Sequence, residues 1–165
     1  MLNPQTRFDA LKATLPGDAS ARVAALATAE ARGLPTRRIE SWHYTDLPRL
    51  LKTANTDNTD RLEAVNFIGV DALMAVFDNG TAEAMPQADG LTLSAFDGTP
   101  ALFDDAMAHY NAALAQNGLV AKIDGTLAKP LIITTSGPDD VHLAHKISLA
   151  AGAKAVLVDN HMATG

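Results

Sequence analysis

Leu119-Val-Ala-Lys-Ile123, Leu131-Ile-Ile-Thr-Thr135, Val141-His-Leu-Ala-His-Lys-Ile-Ser-Leu149 and Ala155-Val-Leu-Val158 decide how this chain is read. Each run is short and apolar or alternating, and each of the first three is closed by turn residues: Asp124-Gly125, Gly137-Pro138 and Ala150-Ala-Gly-Ala153. In the third run His142, Ala144, Lys146 and Ser148 alternate with Val141, Leu143, His145, Ile147 and Leu149. That period of two is the signature of a strand with two unlike faces. Short strands at roughly ten-residue spacing with glycine turns point to a sandwich, a barrel or a β-solenoid.

Working back from that block, Leu73-Met-Ala-Val-Phe77 runs into Asp78-Asn79-Gly80, a hairpin turn signal. Gly90–Ala95 alternates and reads as a strand. Thr99-Pro100 is a helix start with Pro at the first helical position. The predicted helix buries Leu102, Phe103, Ala106, Tyr110, Ala113 and Leu114 and stops at Asn117-Gly118.

The N-terminal part has helical spacing instead. Phe8, Leu11 and Leu15 share a face, and Pro16-Gly17 stops the helix. Asp18 or Ser20 caps a second helix over 21–31 with Val23, Leu26 and Ala27 on its apolar side. Gly33 and Pro35 end it. The expected arrangement is an αα-hairpin with an alanine seam. Thr45 is positioned to cap a short helix with Asp46 and Pro48 in its first turn. Thr53–Asp60 is a polar linker. The expected organisation is a helical head over 1–57, a mixed connector over 58–118 and the first β-strands over 119–165.

Composition narrows the function. The chain has 165 residues, 47% of them apolar and 31 of them alanine, with 19% charged. That suits a close-spaced globular core and excludes disorder of the whole chain. No apolar run reaches the roughly 18 residues that span a bilayer, and residues 1–12 have no secretory h-region. A cytoplasmic location is the expectation. The absence of cysteine excludes a disulfide framework and any thiolate site within this chain. A net charge of −6 argues against general nucleic-acid binding. The charge is uneven: residues 1–57 hold 8 Lys/Arg against 6 Asp/Glu, and residues 58–165 hold 5 against 13. A basic head of this kind fits docking on an acidic surface, as well as ordinary surface variation.

No catalytic constellation emerges. Gly-x-Ser-x-Gly, Gly-x-x-x-x-Gly-Lys and Gly-x-Gly-x-x-Gly are all absent. His142 and His145 are placed on opposite faces of a strand and read as structural. His109 is expected to pair with Asp105 one helical turn earlier. The acid pairs at 104–105 and 139–140 read as helix-dipole partners or solvated turns. No catalytic, cofactor-binding or metal-ligating residue is therefore assigned.

The one dense chemical feature is Arg37-Arg38-Ile39-Glu40-Ser41-Trp42-His43-Tyr44. As a clamp, Trp42 and Tyr44 anchor the connection and Glu40 pairs with an arginine. As a docking surface, the same residues (Arg37, Arg38, Glu40, Trp42 and Tyr44) supply the residue types that dominate interface hot spots.

Those residues also carry a resemblance. Leu34-Pro-Thr-Arg-Arg-Ile-Glu-Ser-Trp-His-Tyr-Thr-Asp-Leu47 resembles the Pro-x-Arg…Glu-x-Trp-Lys-Tyr-Thr signature of the SufD family, with His43 in place of lysine. Leu73–Gly80, Tyr110–Gly118, Lys129–Ile132 and Ala151–His161 resemble later family segments in family order, with Asp159 in place of glutamate. The resemblance covers about Arg32 to His161. It implies an α+β chain: an N-terminal helical region followed by the opening strands of a right-handed parallel β-helix. It implies a non-catalytic part of the SUF iron–sulfur cluster assembly scaffold, with SufB-like and SufC-like partners. By that likeness Gly165 falls within the first turns of the β-helix. The family's ATPase contact and cluster-proximal residues lie beyond it, so the Fe–S cluster belongs to the full complex and none is expected on this chain.

Two other readings stand beside it. One is a small ligand-binding or hydrolytic β-domain, which needs a concave polar pocket. The other is a structural homo-oligomer closing an exposed strand edge, expected because few residues follow the last predicted strand.

Overall fold

The computed structural model describes residues 4–53, 69–137 and 141–163. They divide into two units, each with its own core. The first joins residues up to 57 with 97–115, and the second joins 58–96 with 116–165. The stretch read from sequence as a connector, 58–118, is thus shared between them.

The first unit is helical. Helix α1 spans Pro4–Leu11, α2 Ala19–Arg32, α3 Leu47–Thr53 and α4 Ala106–Leu114. A single 3-10 turn covers Glu40–Trp42. Asp18 caps α2 by accepting the Ser20 N–H at 2.8 Å, and Gly33 closes it. Asp46, not Thr45, begins α3: its side chain accepts the Arg49 N–H at 3.1 Å. Helix α4 packs against both α2 and α1, so the alanine seam joins α2 to α4 through Ala29, Ala106 and Ala113. Phe8, Leu26, Tyr110 and Leu114 complete this core.

The face of α2 is rotated from the predicted one. Val23 is 55% exposed, whereas Arg22, Leu26 and Ala29 are buried. The cause is Arg22. Its Nε donates to the Pro16 carbonyl at 2.8 Å, and its Nη1 donates to the Ala112 and Ala113 carbonyls at 3.3 and 3.0 Å. A buried cation thus satisfies the open carbonyl end of α4, where the helix dipole favours positive charge.

Helix α4 also starts later than Thr99-Pro100 suggests. Asp105 Oδ1 accepts the N–H groups of Met107 and Ala108 at 2.8 and 3.1 Å, which is the N-cap geometry. Leu102 and Phe103 therefore precede the helix and are 73% and 72% exposed. The helix ends at Leu114, before Asn117-Gly118, because the Gln116 N–H turns away to the His142 carbonyl.

The second unit is made of strands. They are β1 (Leu73–Asp78), β2 (Thr81–Ala84), β3 (Leu91–Ser94), β4 (Val120–Ile123), β5 (Leu131–Gly137), β6 (Lys146–Leu149) and β7 (Leu157–Ala163). One sheet has the order β2-β1-β5-β7 and the other β3-β4-β6. Strands β1 and β2 form the predicted hairpin, with Asn79 and Gly80 both at positive φ (47° and 81°). That pair of left-handed residues is what a tight two-residue hairpin requires.

Strand β3 pairs antiparallel with β4, and the other neighbours, β1–β5, β4–β6 and β5–β7, are parallel. Val120 faces Lys146 across β4 and β6, and Leu131 faces Leu157 across β5 and β7. Both pairs are offset by 26 residues, as is the bridge from Asn117 to Leu143. The strands of one segment therefore lie in register on those of the next, with a slip at the intervening turn, where Thr126 bridges Lys154 at an offset of 28. Ala75, Phe77, Leu119, Ala121, Ile123, Leu127, Leu131 and Ile133 fill the core between the sheets. Gly118 marks the closest approach: a Cβ there would stand 1.7 Å from the Ala144 carbonyl oxygen.

The alternation over Val141–Leu149 yields strand only from Lys146. The imidazole of His145, rather than a backbone carbonyl, accepts the Leu119 N–H at 2.9 Å. The ladder accordingly begins one residue later, at Val120. Strand β7 starts two residues after the predicted Ala155 and continues to Ala163.

Candidate functional site

The cluster around Trp42 is held by one side-chain bond. Trp42 is half-buried, and its Nε1–H donates to Asp105 Oδ2 at 3.0 Å. The same carboxylate caps α4 through Oδ1. Burial opposes ionisation of Asp105, but the bonds from Trp42, Ala108 and Met107, with His109 nearby, outweigh it and hold the carboxyl below its usual range. Asp105 thus ties residues 37–44 to the start of α4.

The other members of the cluster face outward. Tyr44 is 93% exposed, and its ring meets the His43 ring edge-on, 4.9 Å between centroids. Arg37 Nε donates to the His43 carbonyl at 3.2 Å. Arg38 and Glu40 are exposed, and among the described residues neither side chain has a partner. The expected pairing of Glu40 with an arginine is not formed. Trp42 is half-buried and bonded to Asp105, while Arg38, Glu40 and Tyr44 lie at the surface.

The apolar face expected of the helix over 99–118 includes Leu102 and Phe103, yet both lie exposed just before the cap at Asp105. The overlooked signal was Asp105 itself, a capping residue placed directly before Ala106. Arg32 pairs with Asp104, and His109 Nε2 lies 3.6 Å from Asp104 Oδ1, so His109 pairs with Asp104 rather than with Asp105. Asp97, Asp104 and Asp105 fold with the helical unit, and their three charges cancel the +2 of residues 1–57. The basic head of the linear sequence is not basic once folded.

In the second unit His145 is half-buried and hydrogen-bonded. Its ring lies 5.2 Å from that of Phe77, and its Nδ1 holds the Leu119 N–H. Burial lowers its pKa, Asp159 opposes that shift, and His161 adds to it. His161 pairs with Asp159 at 3.1 Å. Among the described residues no group of three or more His, Asp or Glu is placed to hold a metal ion. Asp139 and Asp140 lie outside the described residues. No described helix is long and apolar enough to cross a membrane. In comparisons with known proteins, no family model and no curated protein matches this chain.

Proposed function

We propose that this chain is a SufD-like, non-catalytic part of a cytoplasmic scaffold for iron–sulfur cluster assembly. In this reading its second unit forms the opening coils of a right-handed parallel β-helix. The observation that carries the reading is the common 26-residue offset of the β4–β6 and β5–β7 pairings. Two sheets that step by the same number of residues are what a coil stacked on a coil requires. A sandwich or barrel imposes no such shared step. The segments resembling the SufD family fall on this frame: Lys129–Ile132 enters β5 and Ala151–His161 enters β7.

The cluster itself is cargo here. A chain with no cysteine offers no thiolate, and its residues do not fit a resident Fe–S centre. The contribution of this part is structural, with SufB-like and SufC-like proteins as partners. Affinity purification of the full-length product of the source locus, co-expressed with the SufB and SufC homologues of the same organism, tests the reading. A stable complex with either supports it, and recovery of the protein free of both overturns it.

A further inference from the structure

We infer that Asn117 is a site of spontaneous covalent modification, its side-chain amide closing a cyclic imide with the Gly118 nitrogen and opening to aspartate and isoaspartate. The Gly118 N–H donates to Asn117 Oδ1 at 2.8 Å. An acceptor oxygen at that distance brings the carbon it is bonded to within roughly 3–3.5 Å of the same nitrogen, the separation of a near-attack arrangement. The fold maintains the contact. The Gln116 N–H donates to the His142 carbonyl at 2.9 Å, and the Ala144 N–H donates to the Asn117 carbonyl at 3.0 Å, so the backbone is pinned on both sides of the side chain. Asn117 is only half-buried, which leaves it open to water.

The step needs no reactant but water. The Gly118 nitrogen gives its proton to solvent and bonds to Asn117 Cγ. The Cγ–Nδ2 bond breaks, and Nδ2 takes a proton from solvent and leaves as ammonia. Water then opens the ring at either carbonyl, giving aspartate, or isoaspartate with its main chain routed through Cβ. Packing keeps the pair reactive, because a Cβ at Gly118 would stand 1.7 Å from the Ala144 carbonyl oxygen and no side chain can shield the nitrogen. The extra main-chain carbon of isoaspartate enters this same crowded point. The other Asn-Gly pair is an internal control. Asn79 is left-handed at φ 47°, and the ψ of about +47° that accompanies this conformation sets the Gly80 nitrogen roughly opposite Asn79 Cβ, away from its amide. The inference is independent of the scaffold reading, since it uses only contacts around Asn117.

Chymotryptic peptide mapping by mass spectrometry tests it, on the full chain kept folded for several weeks at physiological pH and temperature. Asn117 should exchange NH2 for OH at least about tenfold faster than Asn79, as separable aspartate and isoaspartate peptides. The rate should rise with pH, because the nucleophile is the deprotonated amide. In urea the two pairs should convert at similar rates. Conversion of Asn79 as fast as Asn117 in the folded chain overturns the inference, as does an unmodified folded chain over the period in which the urea sample converts. A preference for Asn117 that persists in urea would assign it to local sequence and equally overturn it.

Discussion

The backbone N–H of Leu119 donates to Nδ1 of His145 at 2.9 Å, so an imidazole stands where a β-ladder carbonyl would otherwise be. Leu119 immediately precedes β4 and His145 precedes β6, and the Leu119 carbonyl accepts the Lys146 N–H at 2.7 Å. The two segments meet at this corner through this side-chain bond and neighbouring backbone bonds, among them the Ala144 N–H to the Asn117 carbonyl at 3.0 Å. Accepting at Nδ1 requires the neutral ring with its proton on Nε2.

This makes stability depend on pH with a definite sign. Burial depresses the folded-state pKa of His145 below its ordinary value, so the unfolded chain binds the proton more readily. The stability contributed by the neutral ring is complete above about pH 6.5, the unfolded value, and is lost as pH falls through the lower folded value. Urea unfolding between pH 5 and 8 should show the midpoint falling on the acid side. His145→Gln should flatten that part of the profile relative to the native chain. An unchanged profile in the variant would remove His145 as the cause.

Arg22 is buried by its bonds to three carbonyls. Arg22→Ala leaves the Pro16, Ala112 and Ala113 oxygens without that donor, and about 2–4 kcal/mol of stability should be lost. Arg22→Lys, which lacks the planar fork, should recover only part of it. Chemical denaturation measures both. A loss below about 0.5 kcal/mol for the alanine variant would contradict the assignment.

Gly118→Ala should be among the most damaging single changes in the second unit. The added methyl would meet the Ala144 carbonyl at 1.7 Å, so the stacked segments must separate. The expected cost is at least about 2 kcal/mol, with loss of amide protection in β4 and β6. Hydrogen exchange on the variant checks both the size and the location.

Trp42 and Asp105 should behave as a coupled pair. Asp105→Ala removes both the helix cap and the acceptor for Trp42, and should cost about 1–3 kcal/mol. Leu in place of Trp42 loses the Nε1–H bond but leaves the cap intact. A double-mutant cycle should return a coupling of about 1 kcal/mol, and additivity would mean the bond contributes nothing.

Much of the secondary structure was legible in the sequence because its signals are local. Asn79-Gly80 demands left-handed φ whatever surrounds it, and Asp18 and Gly33 bracket α2 by backbone chemistry alone. The runs Leu119–Ile123 and Leu131–Thr135 announce strands by residue type. The failures share a cause: in each, a distant partner chose between local options. Arg22 lies on the buried face of α2 because the end of α4, some 90 residues on, offers it carbonyls. Leu102 and Phe103 look like helix-face residues until Asp105 takes the cap and leaves them outside.

The Arg37–Tyr44 segment stands out by composition, but that Trp42 is held at Asp105 while Arg38, Glu40 and Tyr44 lie at the surface depends on a residue 63 positions away. By itself, the sequence determined where the chain turns, which runs extend and that no thiolate chemistry resides here, since these depend on residue type and nearest neighbours. Only the tertiary structure decided the 26-residue step between paired strands, the burial of Arg22 and the company of Trp42. Register and burial are properties of two segments brought together, and no single segment encodes the distance to its partner.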